Sequence, residues 1–141
     1  MRVAILGYGK MGHVVEKVLL ERQHEIVAVI DNEADWQRLD NEFRRAEVAI
    51  DFSEPSVAVS NMLRAFEAHV PVVVGTTGWL DRLEEVCKRC ADANGKLVYG
   101  SNFSIGVNIF FGALFVKGTC AVTGKISPRN IAALDIPLHP L

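Results

Sequence analysis

The chain has 141 residues, is 50% hydrophobic and carries a formal net charge of −2, with a mean hydropathy of +0.20. That length suits one domain with a buried core, and the lack of a basic stripe argues against nucleic acid or an anionic membrane as a partner. The longest mostly apolar run, residues 105–116, is too short to span a bilayer, and no signal peptide is recognisable. Three cysteines without a scaffold-like pattern fit a reducing cytoplasm, which is the expected location.

The first predicted element is a buried strand at residues 2–6 (RVAIL), which runs into the segment GYGKMG. This segment fits G-x-G-x-x-G at Gly7, Gly9 and Gly12, and apolar residues at helical spacing follow it. In such a turn the first glycine permits a sharp bend, the second lets a pyrophosphate approach, and the third lets the helix pack closely. The helix amino terminus adds free N–H groups and a positive dipole end. The pattern predicts a dinucleotide phosphate site, with Lys10 as a further candidate phosphate ligand.

Asp31 follows the second predicted strand, residues 25–30 (EIVAVI), about 20 residues after the glycine motif. A carboxylate there can accept hydrogen bonds from both hydroxyls of an adenosine ribose, and it would repel a 2′-phosphate. The segment DNEAD at residues 31–35 offers no arginine to attract such a phosphate. The charge pattern therefore favours NAD(H), although Lys10 can soften the preference and NADP(H) stays possible. The alternative is a loop aspartate that caps the next helix.

The rest of the chain alternates between helices and strands. Trp36, Leu39 and Phe43 form the apolar face of a short amphipathic helix. The segment SEPS predicts a helix start with a hydroxyl cap from Ser53 and a proline in the first turn. The remaining strands are predicted at residues 47–51, 72–74 and 96–99, and the remaining helices within residues 31–46, 53–68 and 80–93.

This alternation predicts a Rossmann-type, doubly wound α/β fold with a mainly parallel sheet and right-handed crossovers. Ligands bind such sheets beyond the carboxyl ends of the strands, at the switch point. Small or polar residues follow every predicted strand here, so one contiguous site is expected, although ordinary turn chemistry could explain any single loop. These positions are residues 7–12, 31, 51–53, 75–78 and 100–104.

Several smaller signals favour structural roles. Cys87 and Cys90 form CKRC inside a predicted helix without a second ligand pair, so no metal or redox site is expected. His13 lies near enough to the glycine loop to approach a phosphate, but we expect a solvated side chain. Trp79 is expected to pack in the core rather than to stack on a cofactor.

The segments GYGKMG, DFSEP, VVVGTTGW and SNFSIGVNIF occur in this order, and with them residues 1–111 resemble the dihydrodipicolinate reductase (4-hydroxy-tetrahydrodipicolinate reductase) family. The resemblance implies the cofactor domain of an enzyme that reduces a cyclic dicarboxylate with NADH or NADPH in diaminopimelate and lysine biosynthesis. It places Phe52 and Ser53 on the adenine side, the loops after the fourth and fifth strands on the nicotinamide, and Thr77 also towards the substrate. The implied cofactor residues are Gly7, Tyr8, Gly9, Lys10, Met11, Gly12, Asp31, Phe52, Ser53, Gly75, Thr76, Thr77, Gly100, Ser101, Asn102 and Phe103.

The sequence also departs from the family. The family's second domain carries E-x-H-H and K-x-D-A-P-S-G-T-A segments, which supply the catalytic acid and the ligands of the substrate carboxylates. Neither segment occurs here, so no catalytic residue is assigned. Residues 112–141 do not resemble the family's continuation, and we expect a truncated or frameshifted chain, or a foreign carboxyl-terminal piece.

Two functions follow from this departure. The first is dinucleotide binding by a reductase cofactor domain that turns over little substrate alone and lacks the family's tetramer, which is built largely through the second domain. The second is a non-catalytic dinucleotide-binding or regulatory module, in which the ligand biases a partner or an oligomer.

Overall fold

A computed structural model describes residues 1–101 and 103. In this part of the chain five strands form a single parallel sheet in the order β2-β1-β3-β4-β5. The strands are β1 (Arg2–Leu6), β2 (Glu25–Ile30), β3 (Val48–Asp51), β4 (Val72–Val74) and β5 (Leu97–Tyr99). The helices are α1 (Lys10–Glu21), α2 (Glu33–Phe43), α3 (Pro55–Glu67) and α4 (Leu83–Asp92), the last preceded by a 3₁₀ turn at Leu80–Arg82.

The order of the strands fixes where a ligand can bind. β1 pairs with β2 on one side and with β3 on the other. The connection after β1 therefore leads to one side of the sheet, and the connections after β3 lead to the other. The carboxyl ends of these two strands form the switch point, where open α/β sheets bind ligands. The predicted doubly wound α/β fold is confirmed for residues 1–101.

The helices divide between the two faces of the sheet. Residues of α2, α3 and α4 share one apolar core with alternate residues of all five strands, and its largest members include Phe43, Phe66 and Trp79. On the other face Leu19 of α1 packs against Val3 and Ile5. Burial of this apolar surface is the main source of the fold's stability.

The predicted starts of two helices differ from the structure. α1 begins at Lys10, inside the glycine motif, rather than after it. The predicted hydroxyl cap of α3 is wrong, because Glu54 occupies the N-cap position and no side chain caps that terminus. The Ser53 hydroxyl instead donates to the Asp51 carboxylate at 2.7 Å, and an ionised acceptor forms the stronger hydrogen bond.

Other predictions lie beyond the residues that the structure describes. These are the domain boundary at residue 111, the atypical tail at residues 112–141, and the apolar run at residues 105–116. Within residues 1–101, no helix has both the length and the hydropathy that a membrane-crossing segment requires.

Candidate functional site

The glycine turn after β1 combines two packed positions with one open position. Gly7 has a φ of +85°, and a Cβ there would overlap the backbone of Phe52 and Ser53. A Cβ on Gly12 would overlap the carbonyl oxygen of Gly7, so α1 lies close to the turn. A Cβ on Gly9, in contrast, would meet no atom within 4 Å. The first and third glycines are thus required by the protein itself, whereas the second borders open space that a ligand can enter.

The amino terminus of α1 borders the same space. Gly9 is its N-cap, no side chain caps the helix, and its first turn contains no acidic residue. The first N–H groups of a helix lack partners within the helix and carry a partial positive charge. Lys10 is exposed and, within the described residues, forms no salt bridge. This end of α1 therefore suits an anion such as a phosphate.

Asp31 lies directly beside the glycine turn. Its Oδ1 accepts a hydrogen bond of 2.6 Å from the backbone N–H of Tyr8, and its own N–H donates to Asp35 Oδ2 at 3.1 Å. The Asp31 carboxylate is exposed and borders a cleft of about 110 Å³. Gly7, Trp36 and Ser53 also line this cleft. The geometry leaves Oδ2 of Asp31 able to accept hydrogen bonds from a ligand.

Two other predicted residues of the glycine turn, Tyr8 and Met11, are partly or fully exposed. Met11 is 47% exposed. The Tyr8 ring packs on His13 with their centroids 4.0 Å apart, and the Tyr8 hydroxyl donates to Glu16 at 2.5 Å. That hydrogen bond to Glu16 raises the pKa of Tyr8 above its usual value. His13 is exposed, as expected, although its tilted ring contact with Tyr8 was not anticipated.

The first residues of the four strand-end loops are joined by backbone hydrogen bonds. Each N–H donates to the carbonyl oxygen of the last residue of the adjacent strand, at 2.8 to 3.1 Å. The four bonds are Gly7 to Ile30, Phe52 to Leu6, Gly75 to Asp51, and Gly100 to Val74. The predicted loops therefore form one continuous edge.

A buried carboxylate lies beneath the middle of this edge. Asp51, at the end of β3, is 0% exposed, and its Oδ1 accepts from the Ser53 N–H at 2.8 Å and from the Ser53 hydroxyl at 2.7 Å. The Thr76 hydroxyl donates to the same oxygen at 2.9 Å. Asn61 of α3 extends its Nδ2 to within 3.4 Å of Asp51 Oδ2. Burial raises the pKa of Asp51, while these hydrogen bonds oppose the rise.

The loop after β4 packs closely on the loop after β3. A Cβ on Gly75 would overlap the Phe52 ring, so that ring lies directly against the Gly75 backbone. The Thr76 side chain is turned into the protein towards Asp51, so only other atoms of Thr76 can face a ligand. Thr77 is exposed, and Ser101 and Phe103 are exposed beside Gly100. Asn102 lies outside the described residues.

The structure thus separates Phe52 from Ser53. Ser53 lines the cleft beside Asp31, whereas the Phe52 ring contacts Gly75 of the next loop. Trp79 is buried, as predicted, and its Nε1 donates to the Thr76 carbonyl at 2.9 Å. Within the described residues no group of three or more His, Cys, Asp or Glu side chains is placed to hold a metal ion.

Asn61 and Trp36 are the site residues that sequence reasoning missed. Asn61 accepts from Trp36 Nε1 at 3.1 Å and donates to the Ser53 hydroxyl at 3.2 Å, which connects α2 and α3 to the strand-end loops. A signal was present, because Asn61 is a polar residue at helical spacing from Ala58 and Ala65 on the buried face of α3.

The parallel sheet, its switch point and the glycine turn define a Rossmann-type dinucleotide-binding domain. A sequence profile described as "Dihydrodipicolinate reductase, N-terminus" matches residues 1–103. The chain therefore belongs to the dihydrodipicolinate reductase family and carries its amino-terminal domain.

Curated relatives agree with this family. Over 111 residues the chain is 43% identical to the 4-hydroxy-tetrahydrodipicolinate reductase of Christiangramia forsetii, with 79% of this chain and 46% of the relative covered. It is 35% identical over 118 residues to the same-named protein of Staphylococcus aureus (strain MRSA252), with 77% and 46% covered. The chain thus spans about half the length of the curated relatives it matches.

Solved structures share the fold. Dipicolinate-bound dihydrodipicolinate reductase from Paenisporosarcina sp. TG-14 matches with a TM-score of 0.62 and 22% identity, over 79% of this chain and 51% of that one. A probable dehydrogenase from Thermotoga maritima matches with a TM-score of 0.56 and 12% identity, over 71% and 36%. At these identities the likeness shows the architecture alone.

Proposed function

We propose that residues 1–103 bind a nicotinamide dinucleotide for a 4-hydroxy-tetrahydrodipicolinate reductase, with NADH preferred. The observation that carries this proposal is the position of Asp31, whose carboxylate is hydrogen-bonded to the Tyr8 N–H of the glycine turn. A pyrophosphate at Gly9 and the α1 terminus would leave the adenosine ribose beside that carboxylate. Family membership and the open space at Gly9 support the same arrangement.

The preference for NADH rests on the charges around Asp31. Asp35 and Glu33 lie in the first turn of α2, next to Asp31. Two nearby arginines are already paired with these carboxylates, Arg38 with Asp35 at 3.0 Å and Arg64 with Glu33 at 2.8 Å. The carboxylates of Glu33 and Asp35 would therefore repel a 2′-phosphate, and neither arginine would be unpaired to bind it. Lys10, across the glycine turn, is the opposing charge.

The proposed division of the site follows the sheet. With the pyrophosphate at the switch point, the adenosine extends towards β2 and the nicotinamide towards β4 and β5. Asp31 and Ser53 then face the adenosine, while the nicotinamide lies against Gly75, Thr77 and Gly100. The bound cofactor supplies the hydride for reduction of the substrate's ring. Thr77 is exposed, and in this arrangement it would contact a small dicarboxylate beside the nicotinamide.

Turnover needs more than this domain supplies. Hydride transfer requires the substrate to be held against the nicotinamide, and such positioning accounts for several kcal/mol of the barrier. The E-x-H-H and K-x-D-A-P-S-G-T-A segments that the family resemblance associates with acid catalysis and carboxylate binding do not occur in these 141 residues. We expect a polypeptide of this sequence to bind the dinucleotide and to reduce little substrate.

Calorimetric titration with NADH and with NADPH tests the proposal. We expect saturable binding of both, tighter for NADH, and loss of that discrimination in Asp31→Asn. Gln37 lies on the exposed side of α2, and Gln37→Ala is a matched control that should leave both affinities unchanged. Failure of the wild-type chain to bind either dinucleotide would refute the function, and tighter binding of NADPH would refute the preference.

A further inference from the structure

Asp51 has no exposed atoms for a ligand to contact, yet it is the most connected side chain at the carboxyl edge of the sheet. Its Oδ1 accepts three hydrogen bonds, two from Ser53 and one from Thr76. Burying an ionisable group is costly unless it is satisfied by such partners. A buried carboxylate at this position therefore indicates a specific structural demand on the two loops that it joins.

The two loops contribute to different halves of the proposed binding site. Ser53 lines the cleft shared with Asp31, which belongs to the adenosine half. Thr76 follows β4, which belongs to the nicotinamide half. β3 and β4 are neighbouring strands, about 4.8 Å apart, so the two loops lie side by side where the two halves of the site meet. A dinucleotide bound across the site must contact both loops.

Backbone hydrogen bonds fix only the first residue of each loop. The Phe52 and Gly75 N–H groups continue the sheet ladder, but Ser53 and Thr76 come after it. Beyond the packing of Phe52 on Gly75, Ser53 and Thr76 are joined by the shared Asp51 oxygen and by the Thr76 hydroxyl, which also lies 3.1 Å from the Ser53 carbonyl. Asn61, with its Nδ2 near both Asp51 and Ser53, connects the same group to α3.

We propose that Asp51 is a positioning residue that holds the Ser53 loop and the Thr76 loop at the spacing required by the two halves of the dinucleotide. This inference rests on the proposed function, since it assigns the two loops to different halves of one ligand. It predicts that weakening the bond between Thr76 and Asp51 harms binding of the whole dinucleotide and spares binding of the adenosine half.

The test compares NADH with ADP-ribose, which lacks the nicotinamide, in calorimetric titrations of the full chain. Thr76→Val removes the hydroxyl while keeping the volume, and Thr76→Ser keeps the hydroxyl. For Thr76→Val we expect about a tenfold rise in the Kd for NADH and a change within twofold for ADP-ribose. Thr76→Ser should bind both like the wild type, which separates the hydrogen bond from the side-chain shape.

Val86→Ala is the stability control, because Val86 is a residue of α4 that is buried in the main apolar core. It should lower the midpoint of thermal unfolding and leave both Kd values unchanged. If Thr76→Val does not fold, Asp51→Asn replaces it. The amide oxygen can still accept from the three donors to Oδ1, but more weakly than a carboxylate, and the amide nitrogen would face Asn61 Nδ2 as donor against donor. For that variant we expect a rise of two- to fivefold in the Kd for NADH alone.

The outcomes are distinguishable. Equal changes in the Kd for NADH and for ADP-ribose, or no change in either, would overturn the positioning role and leave the binding function intact. Failure of the wild-type chain to bind ADP-ribose and NADH would overturn the proposed function, and this inference with it.

Discussion

The Phe52 ring occupies the space that a side chain on Gly75 would need. A Cβ on Gly75 would overlap three atoms of that ring, so the absence of a side chain at position 75 is what allows the β3 and β4 loops to meet. Gly75 is thus required by protein packing, whether or not a ligand is bound. The same contact explains why Phe52 faces the β4 loop while its neighbour Ser53 faces the cleft beside Asp31.

Gly75→Ala should therefore destabilise the fold. Overpacking of this kind costs about 1–3 kcal/mol, and we expect a loss of that size in urea unfolding. Adding Phe52→Leu should recover part of it, because the smaller side chain makes room for the new methyl group. Equal stability of Gly75→Ala and the wild type would contradict the packing argument.

Gly9→Ala should behave in the opposite way. Its Cβ would meet no protein atom, and Gly9 has a φ of −78°, which alanine adopts readily. We expect the free energy of unfolding to change by no more than about 0.5 kcal/mol. The affinity for NADH should fall about tenfold, or about 1.4 kcal/mol, because the methyl group would occupy the path of the pyrophosphate. Unchanged affinity would show that no ligand approaches Gly9.

Glu33→Gln should improve binding of NADPH. Arg64 donates to both carboxylate oxygens of Glu33, at 2.8 and 2.9 Å, and its guanidinium lies 5.0 Å from the centre of the Trp36 ring. Neutralising Glu33 would leave this arginine available to a 2′-phosphate. Because exposed ion pairs are worth at most about 1 kcal/mol, we expect a gain of two- to fivefold in the affinity for NADPH and none for NADH.

The matched control for that experiment is Glu85→Gln. Glu85 pairs with Arg82 in a similarly exposed bridge at 2.9 Å, but at the start of α4, away from the Asp31 cleft. The control should leave the affinity for NADPH unchanged. An equal gain in both variants would indicate a general effect of net charge rather than release of Arg64.

Asp51→Asn should change how stability depends on pH. Burial raises the pKa of Asp51 in the folded protein, so between the usual and the raised pKa the native state holds a proton that the unfolded chain has released. The wild type therefore loses stability relative to Asp51→Asn as pH rises through this interval, and the difference is constant above it. The pKa values of Asp35, Glu47 and Glu85 are lowered in the folded protein, so these groups make stability rise with pH. Both proteins contain them, so their contribution disappears when the two free energies of unfolding are subtracted.

Denaturant unfolding from about pH 3 to 8 checks this prediction, with the two free energies subtracted at each pH. A pH-independent offset is expected from the altered contact with Asn61, and it does not affect the slope. Parallel curves across the whole range would mean that the pKa of Asp51 is the same in the folded and unfolded states.

The backbone of the fold followed from simple patterns in the sequence. Short apolar runs bounded by glycine, proline or charged residues predicted all five strands to within one residue at either end. The chain order and the right-handed rule for crossovers then brought the strand ends together. The glycine turn was equally predictable, since Gly7 and Gly12 are explained by local geometry.

The polar network, which consists of Asp51 and its hydrogen-bond partners Ser53, Thr76 and Asn61, was harder to predict because it depends on the direction of side chains. In β3, alternate residues Ala49 and Asp51 point into the same core, so the period of the strand itself placed the carboxylate inside. In the sequence, Asp51 groups with the polar loop that follows β3, and this grouping does not predict that its carboxylate is buried. The predicted cap by Ser53 failed for the same reason, because the serine hydroxyl had a better acceptor two residues earlier.

The network also ends on both tryptophans of the chain. Trp36 Nε1 donates to Asn61 and Trp79 Nε1 donates to the Thr76 carbonyl, so each indole is one hydrogen bond away from a residue that contacts Asp51. Indole emission responds to the polarity and hydrogen bonding of its surroundings. The protein therefore contains its own pair of optical reporters at the two ends of the proposed site, and single replacements of Trp36 or Trp79 by phenylalanine would allow each half to be followed without a label.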